Sequence, residues 1–314
     1  MRIKFWGVRG SIPTPITPQQ VQAKITAAVQ RITQKDIVNP DARERFIANL
    51  PEWIFGTVGG NSSCVEIESS NGDEILLDAG SGIREYGKHG RKPENNHYNL
   101  CFSHFHWDHI QGLPFLDSIY NPNAIFNIYS GVNNAKEILS GQQINPYFPP
   151  SASFDSLASK MNFYQAKPGE TFKIGTLDVN ICKMNHPGDS YSFSFEENGK
   201  KIVYATDAEI TQNDFVVTDE RSKVFKNADM IILDSQYTVE ESYRKINWGH
   251  SAFCDAVDFA VKWGIKSLYL FHHEPTYDDK KLDSILTAAR WYTQYIAHSD
   301  LKVYLATEGL ELYF

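Results

Sequence analysis

Four potential metal ligands lie within six residues of one another, in a run that begins at His104. His104, His106, Asp108 and His109 follow the apolar residues 100–102, which predict a buried strand that ends in a loop. On such a turn, the first two histidines can bind one ion, while the last two side chains reach a second. Imidazole and carboxylate groups suit zinc, manganese or iron. Because the chain has only 10 histidines, three in this run predict a metal site rather than a chance surface cluster.

The spacing H-x-H-x-D-H resembles the signature of the metallo-β-lactamase superfamily. Three later motifs match the family's remaining ligands in order: His186 in MNHP, Asp207 in YATD and His272 in LFH. An acidic residue, Asp78 in ILLDAG, ends the strand before the signature, as the family also requires. The matches extend from the first expected strand to the last, so the resemblance covers nearly the whole chain.

The resemblance implies a pair of divalent metal ions, expected to be zinc, with manganese and iron as alternatives. Such a pair traps a hydroxide and lowers its pKa enough for it to exist at neutral pH. Asp207 is expected to bridge the ions and to cancel part of their repulsion. The remaining ligands implied are His104, His106 and His186 for the first ion, and Asp108, His109 and His272 for the second.

Two further polar residues, His273 and Asp78, adjoin or belong to the matched motifs. His272 has a histidine neighbour, His273, and either side chain could bind the second ion. Leu268 and Leu270 share a strand face with His272, which favours His272 and leaves His273 a supporting place. Asp78 is expected to order the ligand loop through hydrogen bonds rather than to bind metal.

His250, in the motif WGHS, lies between the motifs of Asp207 and His272. It resembles the additional histidine of the phosphodiesterase branch, which contains ribonuclease Z and the phosphoribosyl cyclic-phosphate phosphodiesterases. In that branch the histidine contacts the phosphate or protonates the leaving oxygen. Asp234 occupies the place of its acidic partner. The resemblance thus implies His250, Asp234 and Asp108 as catalytic residues; a histidine that only caps a helix, beside a structural aspartate, is the alternative.

The implied reaction is phosphodiester hydrolysis by a metal-bridging hydroxide, with His250 protonating the departing oxygen. A small cyclic phosphodiester, such as a cyclic nucleotide or a ribose cyclic phosphate, is the expected substrate. The formal net charge of −8 argues against a stable complex with nucleic acid.

Three alternatives stay open at this point. Ribonuclease Z-like tRNA 3′-end processing would need a basic arm, and residues 136–170, expected to be a long loop region, carry few lysines or arginines. Acyl hydrolysis of a lactone, thioester or β-lactam does not need His250 with Asp234. A metal-binding scaffold without activity is the third.

The elements that must position these residues alternate between strand-like and helical patterns, which favours an α/β protein. With the resemblance, this predicts a four-layer αββα sandwich of the metallo-β-lactamase type, as a single domain over 1–314. Asn198-Gly199 predicts a hairpin turn. Strands are expected near 2–6, 63–68, 74–78, 98–102, 125–129, 177–183, 191–196, 201–205, 230–233, 266–271 and 302–305.

Residues 17–55 interrupt this pattern and predict a helical insertion. Thr17, Pro18 and Gln20 form a helix start with a capping box, and Asn39-Pro40 starts a second helix. An apolar stripe follows the first start, and either the main body or a second subunit must cover it. The segment is then a packing embellishment, a lid or a dimer arm, and a homodimer is one expectation. The stripe consists of Val21, Ile25, Ala28, Val29 and Ile32. Two further helices are expected, one starting at His250 or Ser251 and closed by Gly264, the other starting at Asp278.

Several other residues are candidates to contact substrate or to support the site. Arg9 can pair with a phosphate or form a structural salt bridge, and Asn61 lies in a glycine-containing segment near the site. The aromatic candidates are Trp107, Phe148, Tyr237 and Trp248. The four cysteines form no C-x-x-C pair, no apolar run approaches ~18 residues, and the N-terminus resembles no signal peptide, so a cytoplasmic enzyme without a membrane span is expected.

Overall fold

The computed structural model describes residues 1–314 and contains 14 β-strands and 10 α-helices. The strands are β1 (Arg2–Gly7), β2 (Cys64–Glu68), β3 (Glu74–Leu77), β4 (His97–Phe102), β5 (Ile125–Ser130), β6 (Lys160–Gln165), β7 (Phe172–Ile174), β8 (Leu177–Lys183), β9 (Tyr191–Glu197), β10 (Lys200–Ala205), β11 (Met230–Asp234), β12 (Ser267–Phe271), β13 (Lys302–Leu305) and β14 (Glu311–Tyr313). The helices are α1 (Pro18–Val29), α2 (Pro40–Ala48), α3 (Glu52–Phe55), α4 (Gly82–His89), α5 (Trp107–Ile110), α6 (Ala135–Gln142), α7 (Asp219–Phe225), α8 (Val239–Arg244), α9 (Phe253–Lys262) and α10 (Asp279–Tyr295).

The strands form two seven-stranded sheets with the same internal arrangement. Their orders are β14-β1-β2-β3-β4-β5-β6 and β13-β12-β11-β10-β9-β8-β7. In each sheet, four strands pair antiparallel, and the last of these begins a run of four parallel strands. Parallel neighbours need long crossover connections, and the loops at their carboxyl ends are where polar side chains of distant segments can meet.

Helices cover the outer faces of both sheets. On the first sheet α4 packs against β1 and β2; on the second, α7 packs on β8 and β9, α9 on β11 and β12, and α10 on β13. Between the sheets, Phe5 of β1 packs against Tyr269 and Phe271 of β12. The layers therefore follow the order helix, sheet, sheet, helix, which confirms the predicted αββα sandwich.

All 11 predicted strands are confirmed, each within one residue at either end. The hairpin turn is confirmed as well, because Asn198 and Gly199 both have left-handed backbone, with φ 53° and 70°. Three strands were missed, namely β6, β7 and β14. β6 is an edge strand with no buried residue, and the other two have three residues each, so none carries an alternating apolar pattern. Residues 136–170 contain part of α6 and β6, so their interpretation as a long loop region was wrong.

The helix starts predicted within residues 17–55 are confirmed. The Thr17 hydroxyl accepts the Gln20 N–H at 3.2 Å, and the Gln20 side chain accepts the Thr17 N–H at 2.8 Å. Asn39 caps α2 by accepting the N–H of Ala42. The Lys24 ammonium attaches α1 to the main body through the Asp279 carboxylate, at 2.5 Å.

The main body does not cover the apolar stripe of α1 and the turn after it. The exposed fractions are 41% for Val21, 60% for Ile25, 64% for Val29 and 39% for Ile32. Lys24, at the inner border of the stripe, also donates to the carbonyl oxygens of residues 53 and 56. The main body therefore leaves much of this stripe exposed.

The later helices differ in how well their starts were predicted. Asp278 caps α10 by accepting the Lys281 N–H at 2.7 Å, and Gly264 follows α9 with a left-handed φ of 65°. The predicted start of α9 at His250 or Ser251 was wrong, because the helix begins at Phe253. Ser251 does not act as its cap, since its hydroxyl oxygen accepts the Ile210 N–H instead. No helix combines the length and the apolar character that crossing a membrane requires.

Candidate metal centre

Polar side chains meet where strands of both sheets end. Asp78 follows β3, residues 103–109 follow β4, Asp207 follows β10, and His272 follows β12 directly. Asp78, Asp207 and His272 all have left-handed backbone, with φ 58°, 50° and 60°. Such conformations cost roughly 1–3 kcal/mol for residues other than glycine and concentrate at functional sites. Here they turn each side chain out of its strand and towards the others.

The first ligand cluster consists of His104, His106, His186 and Asp207, whose ligand atoms all lie within 4.8 Å of one another. His186 Nε2 is 3.0 Å from His106 Nδ1. Asp207 Oδ2 lies 3.5 Å from His104 Nε2 and 3.6 Å from His186 Nε2. The three histidines that were expected to bind the first ion are therefore brought together.

The second ligand cluster consists of Asp108, His109 and His272, again within 4.8 Å. Asp108 Oδ2 lies 3.2 Å from His109 Nε2 and 3.1 Å from His272 Nε2. The other oxygen of Asp207, Oδ1, faces the same two imidazoles at 3.1 and 3.2 Å. Asp207 thus lies between the clusters and presents one oxygen to each, which is the arrangement expected of a bridging carboxylate.

The hydrogen bonds behind the histidines fix which ring nitrogen points into the centre. His186 Nδ1 donates to the Gly249 carbonyl at 2.9 Å, and His109 Nδ1 donates to Asp78 Oδ2 at 2.8 Å. His104 Nδ1 donates to the Ser103 hydroxyl at 3.0 Å. In its neutral form, each of these rings therefore presents an unprotonated Nε2 to the centre.

The lone pairs on these Nε2 atoms indicate whether a metal ion suits the site. His104 Nε2 is buried and has no hydrogen-bond partner, while His109 Nε2 faces carboxylate oxygens that are acceptors as well. Acceptors facing acceptors in a buried site repel one another unless a cation lies between them. The donor set of imidazole nitrogen and carboxylate oxygen suits divalent metals, so the residues present fit a divalent metal site.

The protonation equilibria of the histidines agree with this. Burial lowers the pKa of His104 well below its ordinary value, and it also lowers that of His186. Both imidazoles are then neutral at pH 7, which is the form that binds metal. For His109, Asp207 and Asp108 outweigh burial and raise the pKa well above its ordinary value. The carboxylates therefore attract positive charge at His109 Nε2, which a proton or a divalent metal ion would supply.

Asp78 supports both clusters without facing either. Its carboxylate accepts the Ser103 N–H at 2.8 Å, the Ser103 hydroxyl at 2.7 Å and the Tyr204 hydroxyl at 2.8 Å, in addition to His109. Through Ser103 it also fixes the orientation of His104. It has the supporting place expected from the sequence, whereas Ser103 and Tyr204 were not singled out there.

Replacing Asp78 by Asn should lower the affinity for divalent metal about 10- to 100-fold. Asparagine tolerates left-handed backbone, so the main chain should be preserved, but its amide group would present donors to the donors of Ser103, Tyr204 and His109. Competition with a chromogenic chelator measures the effect. Asp178→Asn, at a side chain that is 48% exposed, is the control that removes a remote charge. Equal affinity in the wild type and the Asp78 variant would contradict this role.

His250 and Asp234 lie beside the second cluster. His250 Nδ1 donates to Asp234 Oδ2 at 2.6 Å, and the His250 ring stacks on His272 with centroids 4.9 Å apart. Asp234 is fully buried, and its other oxygen accepts the N–H groups of Gln236 and Ser251. Burial alone would lower the pKa of His250, but the Asp234 carboxylate outweighs it and raises the pKa to about 9.

Three residues that were candidates for supporting or substrate contacts face away from the centre. The Arg9 guanidinium donates to the carbonyl oxygens of residues 59, 274 and 277, and Arg9 is only 4% exposed, so its contacts are structural. Asn61 is paired with Glu308 and Ser81. His273 donates to a carbonyl of residue 306, and burial lowers its pKa to about 3. Of the histidine pair, His272 is the one beside the clusters.

The four candidate aromatic residues divide into two pairs. Trp107 and Trp248 are 64% and 62% exposed, and each is next to a residue of the centre in the chain. Tyr237 is buried with its ring edge against His250, and Phe148 packs beside Phe115. The two tryptophans are therefore the most exposed of the four candidates.

A family model described as a beta-lactamase superfamily domain matches residues 73–273. These residues include every side chain of both ligand clusters, as well as Asp234 and His250.

Individual proteins are similar to this chain in sequence or in fold. Ribonuclease Z of Clostridium perfringens is 26% identical, and the match covers 73% of this chain and 90% of that protein. The crystal structure of the short form of human tRNase Z superposes with a TM-score of 0.62 at 18% identity, covering 100% of this chain and 99% of that one. A diphosphatase from the PhnP family superposes with a TM-score of 0.61 at 16% identity, covering 100% and 97%.

Proposed function

Because this chain belongs to the beta-lactamase superfamily, in which it is a metal-dependent hydrolase of the phosphodiesterase branch, we propose that it hydrolyses a small cyclic phosphodiester. A cyclic nucleotide or a ribose cyclic phosphate is the proposed substrate class. The observation that carries the proposal is the His250–Asp234 pair beside the two ligand clusters, since acyl hydrolysis does not need a proton donor at this place.

We propose that the centre holds two divalent ions, with zinc first and manganese or iron as alternatives. His104, His106 and His186 would bind the first ion, Asp108, His109 and His272 the second, and Asp207 both. Bound at this place, such ions supply an activated water and neutralise charge on the phosphate oxygens. The unprotonated Nε2 of His104 and the two-sided placement of Asp207 support this assignment.

His250 is proposed to protonate the leaving oxygen. Its Nδ1 is engaged by Asp234 at 2.6 Å, so Nε2 is the nitrogen from which a proton can pass to the substrate. Asp234 holds the ring and favours its charged form, and its own position is fixed by the two main-chain N–H groups of Gln236 and Ser251. The third proposed catalytic residue, Asp108, accepts the Ser11 N–H on Oδ2 at 2.8 Å.

Ribonuclease Z-like cleavage of tRNA is the second candidate, and the likeness to ribonuclease Z favours it. The net charge of −8 favours a small substrate instead, because affinity for a polyanion depends on lysine and arginine contacts with phosphates. Trp107 and Trp248 suit stacking on a single base or sugar.

A substrate panel on metal-loaded protein separates these candidates. The panel consists of cyclic nucleotides, ribose cyclic phosphates, bis(4-nitrophenyl) phosphate, a precursor tRNA, nitrocefin and a thioester. Turnover of cyclic phosphodiesters well above that of the other compounds is expected. Preferential cleavage of the precursor tRNA would establish the second candidate, and turnover confined to the acyl substrates would refute both.

We further propose that a second copy of the chain covers the exposed stripe of α1, and that residues 1–314 form one domain of a cytoplasmic enzyme. The four cysteines are all free, which is in keeping with a reducing compartment. Lys24, the one charged residue of α1, points inwards to Asp279. The stripe therefore carries no charge that would repel a second copy.

The double variant Ile25→Glu/Val29→Glu should be monomeric at concentrations where the wild type is a dimer, because four negative charges would face one another in the contact. Light scattering coupled to gel filtration measures the mass. Val217→Glu, at a side chain 63% exposed outside this segment, is the matched control and should remain dimeric. A monomeric wild type would rule out the proposed contact.

A further inference from the structure

Glu209 lies two residues after Asp207 and belongs to neither ligand cluster. Its carboxylate accepts the main-chain N–H of Asn247 on one oxygen and that of Gly249 on the other, both at 2.9 Å. Asn247 and Gly249 have left-handed backbone, with φ 66° and 88°. Left-handed residues form main-chain concavities that bind anions through N–H groups, and here the anion is a side chain of the same protein.

The segment that Glu209 holds, residues 247–250, carries three groups at the centre. Trp248 is exposed at its rim, the Gly249 carbonyl accepts the proton of His186 Nδ1 at 2.9 Å, and His250 is the proposed proton donor. None of these groups is attached to a strand or a helix, because α9 begins only at Phe253. Their positions therefore depend on side-chain contacts such as those of Glu209.

Glu209 is itself fixed to the loop that carries His186. Its main-chain N–H donates to the Asn185 carbonyl at 2.9 Å, and the Asn185 side chain donates back to the Glu209 carbonyl at 3.4 Å. Glu209 thus joins the loops of Asp207, His186 and His250. A second contact in the same place comes from Ser251, whose hydroxyl accepts the Ile210 N–H at 2.9 Å.

The contact between segment 247–250 and His186 leaves no free space. A Cβ atom added at Gly249 would lie 2.0 Å from His186 Nδ1 and 2.6 Å from Pro187 Cδ. Any movement of the segment must therefore move the His186 ring or break its hydrogen bond to the Gly249 carbonyl.

We infer that Glu209 is a positioning residue that sets His250 and His186 relative to Asp207. This inference rests on the proposed function only for the role of His250 in proton transfer. Without the carboxylate, the N–H groups of Asn247 and Gly249 lose their partner, and the segment moves out of place. The consequence is a less well-placed proton donor and a weaker hold on one ligand of the first cluster.

Glu209→Ala and Glu209→Gln test this inference through the dependence of rate on the leaving group. For an alkyl phosphodiester, whose departing oxygen needs a proton, Glu209→Ala should lower kcat/KM about 10- to 100-fold. For a 4-nitrophenyl diester, whose 4-nitrophenolate departs without a proton, the loss should be clearly smaller, within about tenfold, because only the weaker hold on His186 affects this rate. Glu209→Gln keeps one acceptor oxygen and should give an intermediate loss. It also serves as the informative variant if Glu209→Ala does not fold.

Glu197→Gln is the matched control. Glu197 also accepts a main-chain N–H, that of Ser70 at 2.9 Å, together with the Ser70 hydroxyl, but it lies in β9 outside the centre. A merely structural glutamate lowers Tm without altering the ratio of the two rates, and this is the result expected for Glu197→Gln. The inference would be overturned if Glu209→Ala lowered kcat/KM equally on both substrates. It would also be overturned if Glu209→Gln and Glu197→Gln gave the same ratio of kcat/KM on the two substrates.

Hydrogen exchange tests the contact without any turnover. The amides of Asn247 and Gly249 should exchange faster in Glu209→Gln than in the wild type, and should be unchanged in Glu197→Gln. Unchanged exchange in Glu209→Gln would refute the positioning role whatever the substrate is. Faster exchange in a protein that hydrolyses no phosphodiester would support the role and would count against the proposed function alone.

Discussion

Asp207→Asn is expected to lower kcat/KM by about four orders of magnitude, close to the rate without a functional metal pair. The carboxylate presents Oδ2 to the first cluster at 3.5 Å from His104 and Oδ1 to the second at 3.1 Å from His109. An amide keeps the shape and tolerates the left-handed φ of 50°, but it loses one of the two oxygens and the negative charge. The variant should therefore fail to hold two ions together.

Steady-state rates and metal content per chain, measured on the same preparation, check this expectation. Asp229→Asn is the control, since Asp229 is also buried and ion-paired, with Lys266 at 2.8 Å, away from the centre. It should lose stability and keep both metal and activity. Wild-type rates in Asp207→Asn would refute the bridging role. If the protein were a metal-binding scaffold, the wild type would show no turnover, and Asp207→Ala would leave binding of its partner intact.

His250→Ala is expected to cause the second large loss of activity. The loss in kcat/KM should reach about 10²- to 10⁴-fold for an alkyl phosphodiester and stay within about tenfold for a 4-nitrophenyl diester. The reason is that an alkoxide leaves poorly without a proton, whereas 4-nitrophenolate is stable in water. A plot of rate against leaving-group pKa, measured for both proteins, should be steeper for the variant.

Two further variants sharpen this experiment. Asp234→Asn should act in the same direction with a smaller loss, because the ring of His250 remains but loses the carboxylate at 2.6 Å. His89→Ala, at a side chain 68% exposed, should behave as the wild type. Equal losses of His250→Ala on both substrates would count against proton donation and favour a purely structural histidine.

The fold could be predicted from the sequence where a segment carries its own pattern. β4 ends in an apolar run, residues 100–102, and β11 begins with one, residues 230–233. Helices α1 and α10 begin at residues that cap them through local hydrogen bonds. The edge strand β6 carries no such pattern, because its residues are exposed or half-buried. Its formation depends on pairing with β5, which is information held by another part of the chain.

The ligand residues could be predicted because the order of their motifs resembles a known family, although the first and last lie 168 positions apart, from His104 to His272. The surroundings of these residues could not. Glu209 acts on main-chain N–H groups, and these leave no mark on the sequence of their own segment. Arg9 has the charge of a phosphate ligand, and only the structure shows that its donors are taken up by carbonyl groups.

For the exposed stripe of α1, the helix could be predicted from the sequence, but its surroundings could not. Its spacing predicted a helix correctly, but the same spacing does not say which surface covers the helix. Ile25 and Val29 remain more than half exposed in the isolated chain, so the apolar pattern predicted the helix but not the burial of its apolar side chains.

The most direct test of the metal centre is a crystal structure of protein loaded with zinc, with anomalous diffraction recorded on both sides of the zinc absorption edge. Two anomalous peaks per chain are expected, one among His104, His106 and His186, the other among Asp108, His109 and His272, with Asp207 in contact with both. A single peak, or peaks away from these side chains in fully loaded protein, would contradict the account of this protein as a dinuclear hydrolase.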